Sequence, residues 1–339
     1  MAENDGFEVS CGNPDCRIAE TGRCVEGFQV NACPHYGREL EKAAEDNTDD
    51  DEGAGSSTSV VLPGADTLTP IEASRLLRAG DARVIAVIGS SDAGKTSLIA
   101  SLYDLFQEGP LSGINYSRSQ TLHAFEHTCH DARAASRRDV PHMNRTPLGE
   151  VRFYHLELGG GRAGERVALI LGDRAGEEYR TAANDASVVM AFSEVRRADS
   201  LTALVDGQRL LDAGARHNLR SEITMILQAF VDSGAVQVGQ RLALVLTKID
   251  LVQESPHRAR AEADFDTLAT NIRRIFSKEF PVIEQFRVAA SPRTELVSRG
   301  TGVPELLNFW LEQACPATIP PIARPLFSRA FARVVPLDA

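Results

Sequence analysis

The sequence predicts an α/β fold of three layers. Helices cover both faces of a mostly parallel sheet that carries one antiparallel hairpin strand, and a small N-terminal cysteine-rich module precedes it. Three observations predict this. From about residue 69 onward, short apolar runs alternate with stretches of helical periodicity. A glycine-containing turn, Gly89 to Gly94, separates the first strand-like run from the first long helix. Four of the six cysteines fall within the first 33 residues, apart from the globular part.

The N-terminal zone, residues 1–38, is short of apolar residues. Its thiols, Cys11, Cys16, Cys24 and Cys33, follow the spacing x4, x7, x8. Zn²⁺ held by four thiolates would supply the folding energy that this segment otherwise lacks. His35 could replace one thiol, and a metal-free, thiol-rich tail is the alternative. Arg17, Arg23 and Arg38 face Glu3, Asp5, Glu8, Asp15, Glu20 and Glu26, so phosphate-backbone affinity would be poor and protein docking fits better. Residues 39–68 turn acidic and then Gly/Ser-rich, the composition of a linker. Between Arg38 and Glu52, eight acids against two bases hold more than half of the net charge of −11. That charge excludes a nucleic-acid binder built on a basic face. No run approaches the roughly 18 apolar residues of a membrane span. The acidic start is no secretory signal, so a cytoplasmic protein is expected.

The globular part, residues 69–315, follows in order. Ile71 to Ala79 reads as a short helix. Val84 to Ile88 is continuously apolar, as in a strand covered on both faces. A helix from Lys95 to about Gln107 sets Leu98, Leu102 and Leu105 on one face. Residues 108–148 lack clear periodicity and read as an irregular or partly helical insertion. Val151–Leu158 and Val167–Gly172, joined by the turn Gly159 to Gly164, predict an antiparallel hairpin. Leu201–Val205, Leu242–Leu246 and Phe286–Ala290 are further strands. Helices at about 216–232 and 259–278 separate them, and a last one runs from Val303 to Ala314. A proline-containing tail, 316–339, closes the chain. Cys129 and Cys315 stand alone and read as structural.

Three motifs point to one ligand. Gly89-Ser-Ser-Asp-Ala-Gly94-Lys95-Thr96 matches G-x-x-x-x-G-K-[ST], between a buried strand and an amphipathic helix. Successive backbone N–H groups there can cradle phosphates, Lys95 can neutralise them, and the Thr96 hydroxyl can ligate Mg²⁺. Asp173-Arg-Ala-Gly176 ends an apolar strand. Its carboxylate can hold the Mg²⁺, and Gly176 can bring an N–H to a terminal phosphate. Thr247-Lys248-Ile249-Asp250 ends another strand. The Asp250 carboxylate can accept from N1–H and the 2-amino group of guanine, which adenine cannot supply, while the Lys248 stem lies along the base.

Over roughly residues 80–315 these motifs resemble the Ras-like P-loop GTPases of the translation-factor-related class, whose hairpin before Asp173 kinases lack. Within the class the chain looks most like the bacterial double-GTPase families, often encoded in multi-gene conflict or signalling systems. The stretch Arg196 to Gly207 and the cysteine-rich start carry that likeness. The resemblance implies a phosphate loop of Gly89, Ser90, Ser91, Asp92, Ala93, Gly94, Lys95, Thr96 and Ser97. It implies a second switch from Asp173 to Gly176, and a base loop of Thr247, Lys248 and Asp250. Ala290 and Ser291 would support the guanine oxygen through backbone N–H groups. Thr146 is the candidate threonine of the first switch, with Thr128 behind it. Thr247 replaces the family's usual Asn, which would weaken the tie between base loop and phosphate loop. Glu177 stands where many members have a water-orienting Gln, so hydrolysis would be slow or partner-dependent. Arg174 could supply charge in cis, or be a solvated surface arginine. Three readings follow: a GTP/GDP switch acting on a protein partner, a non-hydrolysing nucleotide-bound scaffold, or a P-loop ATPase or kinase. The hairpin and Asp250 count against the last.

Overall fold

In this computed structural model the described residues are 66–132, 148–159, 166–293 and 296–312. Cys11, Cys16, Cys24, Cys33, His35, Thr146, Cys315, the glycine turn after Gly159 and the C-terminal tail lie outside them.

The domain is already packed at Leu68, within the expected linker: Leu68 is buried and exchanges backbone hydrogen bonds with Phe153. Thr69 then caps α1 (Pro70–Ala79) in a reciprocal capping box with Glu72, and Pro70 takes the first helical turn. The strands are β1 (Ala82–Ile88), β2 (Asn115–Arg118), β3 (Arg152–Gly159), β4 (Val167–Asp173), β5 (Ser200–Asp206), β6 (Arg241–Thr247) and β7 (Ile283–Arg287). They form one seven-stranded sheet in the order β2-β3-β4-β1-β5-β6-β7. β3 pairs antiparallel with both neighbours, while β4, β1, β5, β6 and β7 pair in parallel, as the hairpin pattern predicts.

The sequence reading missed one strand, set another too late and left several short helices unplaced. The segment 108–148 contains an edge strand, β2, and a helix, α3 (Leu122–Ala132). β2 is four residues long and mostly exposed, so no alternation betrays it. β7 lies three residues earlier than the apolar run Phe286–Ala290, because this edge strand is only half-buried and carries Glu284, Gln285 and Arg287.

The remaining helices are α2 (Lys95–Glu108), α4 (Gly176–Asn184), α5 (Ser193–Arg197), α6 (Gly207–Leu211), α7 (Arg216–Asp232), α8 (Ile249–Glu254), α9 (Arg258–Phe276) and α10 (Val303–Leu311). Strand residues alternate between two cores. Ile85, Val87, Ala243 and Val245 join α2, α3 and α10 on one face. Ala86, Ile88, Leu244 and Leu246 join α4, α7 and α9 on the other. At about 25 cal/mol per Å² of apolar surface, burial on both faces is what holds such strands inside. It also aligns their carboxyl ends: Val87 pairs with Asp173 and Asp206 with Thr247, so the polar residues ending β4, β5 and β6 share one rim with the start of the phosphate loop.

Candidate functional site

At that rim the chain leaves β1 at Gly89 and enters α2 at Lys95. Asp92 and Gly94 adopt left-handed backbone (φ 63° and 93°), which curls the loop around the helix N-terminus. Lys95 is buried, and its Nζ donates to the Gly89 and Ser90 carbonyls at 3.1 Å each. Burial pushes its ammonium pKa down, against the carboxylates of Asp173, Glu177 and Asp92, which favour the charged form.

The Thr96 hydroxyl donates to Asp173 Oδ2 at 2.8 Å, and Asp173 is 1% exposed. These are hard oxygen donors from two chain segments meeting at one point, a donor set that suits Mg²⁺. Beyond Arg174 and Ala175, Gly176 opens α4 hard against the phosphate loop: a Cβ there would fall 2.2 Å from Ser91 N and 2.4 Å from Ser90 C. Only glycine fits this approach. Glu177 is exposed on the first turn of α4.

Arg174 is not a solvated surface arginine. It is 3% exposed, bonded to Glu194 at 2.6 and 3.1 Å and to Glu178 at 2.6 Å, and lies over the Phe192 ring. Those pairs commit its charge to holding the strand end. Thr128 sits inside α3, where its hydroxyl donates to Ala124 O at 2.7 Å. It lines a cavity of about 710 Å³ with His123, His127, Arg152 and Tyr154, none of them a phosphate-loop residue.

The base loop follows β6. Lys248 takes left-handed backbone (φ 53°) and starts α8, which turns Asp250 inward to 2% exposure. Asp250 Oδ2 accepts from the Arg293 backbone N–H at 2.9 Å, tying the loop after β7 to the base loop. Ala290 and Ser291 lie in that loop, half-buried and exposed, beyond the end of β7. The Thr247 hydroxyl donates to the Ala93 carbonyl at 2.9 Å. Threonine thus makes a tie between the two loops with one buried hydrogen bond.

Sequence reasoning missed the segment after β5. Buried Asp206 caps α6 through the Gln208 and Arg209 N–H groups and accepts from Lys248 Nζ at 2.9 Å. Arg209 Nη1 donates to Ser90 Oγ at 2.8 Å. A polar residue at the carboxyl end of an apolar strand was the available signal, since Asp206 ends β5 as Asp173 ends β4.

Among the described residues no helix is long and apolar enough to cross a membrane. A search of curated proteins finds no match. The family model described as Double-GTPase 2 matches residues 83–311, which take in the phosphate loop, the Asp173 turn and the base loop together. The chain belongs to the Double-GTPase 2 family.

Proposed function

We propose that this protein is a guanine-nucleotide switch of the Ras-like, translation-factor-related class that hydrolyses GTP to GDP and phosphate and acts on a protein partner. One observation carries the reading. The Thr247–Ala93 hydrogen bond joins the base loop to the phosphate loop, which supports Asp250 and Lys95 serving one bound molecule rather than two sites. Mg²⁺ on Thr96 and Asp173 would neutralise charge on the terminal phosphates. Lys95, released from the Gly89 and Ser90 carbonyls, would donate to the same oxygens. Gly176 already lies against the phosphate loop, which supports a role for its N–H in sensing a terminal phosphate and moving α4 accordingly. The acidic side chain of Glu177 in the water-orienting position fits slow intrinsic turnover accelerated by a partner.

Competition between GTP and ATP for a fluorescent guanine nucleotide tests base choice, and equal competition would remove Asp250 from its role. Phosphate release from GTP, with and without co-encoded proteins, tests hydrolysis. If none is released in either case, the protein is a nucleotide-bound scaffold. A zinc ion on Cys11, Cys16, Cys24 and Cys33 belongs to the same proposal on sequence spacing alone. Elemental analysis of the purified chain should find about one zinc per molecule.

A further inference from the structure

The Ser90 side chain is gripped from behind the phosphate loop. Arg209, on α6, donates from Nη1 to Ser90 Oγ at 2.8 Å and from Nη2 to Glu222 Oε2, on α7, at 2.9 Å. Ser90 is 4% exposed and the Glu222 side chain 12% exposed, so both acceptors are largely withdrawn from water. The second Glu222 oxygen, Oε1, is buried and has no hydrogen-bond partner among the described residues. Facing it at 3.6 Å is the Nε of Arg180, one turn beyond Gly176 on α4.

The four groups close a loop. Gly176 presses on the Ser90–Ser91 peptide, Arg209 holds Ser90, Glu222 holds Arg209, and Arg180 returns to the helix that Gly176 begins. An unmade hydrogen bond on a buried carboxylate oxygen favours any shift of α4 that lets Arg180 complete it. We propose that Arg209 is a positioning residue of the phosphate loop, and that Glu222 couples it to α4 through a contact with Arg180 that closes when a terminal phosphate shifts α4. The inference rests on the guanine-nucleotide reading above and adds to it a device, on α6 and α7, that makes loop and helix respond as one unit.

Titration of the full chain with fluorescent GDP and with a fluorescent non-hydrolysable GTP analogue tests it, with thermal unfolding of each variant as the folding control. Arg209→Ala and Ser90→Ala should each weaken both nucleotides by about five- to tenfold, and the double variant should be no worse than either single one. Arg209→Lys, which cannot bridge both acceptors, should restore only part of the loss. Arg180→Ala should weaken the GTP analogue alone, by about three- to tenfold, and should have no further effect in a Glu222→Gln background. Additive Arg209 and Ser90 effects would overturn the positioning role. An Arg180→Ala loss shared equally by GDP, or one that persists in the Glu222→Gln background, would overturn the coupling. Failure of the unmutated protein to bind either nucleotide would instead reject the guanine-nucleotide reading itself.

Discussion

Among the described residues, the Thr247 hydroxyl is the side-chain donor that the structure places on the Ala93 carbonyl. Thr247→Val keeps the volume but strands that buried acceptor, at a cost of about 1–3 kcal/mol. Guanine-nucleotide affinity should fall by about tenfold or more, and measured dissociation rates should account for most of it. Unchanged dissociation would mean that the two loops are held together elsewhere. Asp250 is held by the Arg293 N–H at one oxygen, with its carboxylate turned into the domain. Asp250→Asn should lower GTP affinity and improve binding of xanthine nucleotide, whose purine edge offers an acceptor where guanine offers its 2-amino group. An unaltered preference in competition assays would count against base reading by this residue. Both positions could be singled out in the sequence, because Thr247-Lys248-Ile249-Asp250 closes an apolar strand in a recognisable spacing. Arg209 and Glu222 could not, since they lie 13 positions apart and only the packing of α6 against α7 brings them together.

For the elements, the apposition of α4 on the phosphate loop has the largest consequence. Gly176→Ala must move either α4 or the Ser90–Ser91 peptide, because its Cβ would lie within 2.4 Å of two backbone atoms. The variant should still bind GDP but lose the difference between its GDP and GTP forms. Hydrogen exchange across 173–184, compared between the two nucleotides, measures this, and a wild-type difference would refute it. Strands and helices buried on two faces could be read directly from the chain: α7 matches its expected span of 216–232, and β6 contains Leu242–Leu246 within it. Edge elements could not be read that way. β2 and β7 owe their pairing to a neighbour rather than to an apolar pattern of their own, so nothing local marks where they begin. Arg174 misled for a related reason: its burial comes from Glu194 and Phe192, on a later segment.

The stability of the molecule as a whole carries a pH-dependent term on β3. His155 lies on β3, 1% exposed, and its Nδ1 accepts from the Gln120 N–H at 3.1 Å. Burial pulls its pKa from 6.5 to about 4, against the Glu157 carboxylate. The unfolded chain therefore binds a proton between these values that the folded chain refuses. The stabilisation is present in full above pH 6.5 and is lost as the pH falls toward 4, amounting to up to roughly 3 kcal/mol. Thermal unfolding should show this slope, and His155→Asn, which keeps an acceptor but does not titrate, should flatten it. An equal slope in the variant would place the term on other groups. A last consequence belongs to Gly207. A methyl group there would sit 2.4 Å from the Thr247 carbonyl and 2.8 Å from Val252 Cγ2. Gly207 has no side chain to offer a ligand, yet saturation mutagenesis scored by nucleotide retention should find it as intolerant as Lys95. A map of tolerated substitutions would thus mark a residue outside the three nucleotide motifs, purely because two strand ends have no space to spare between them.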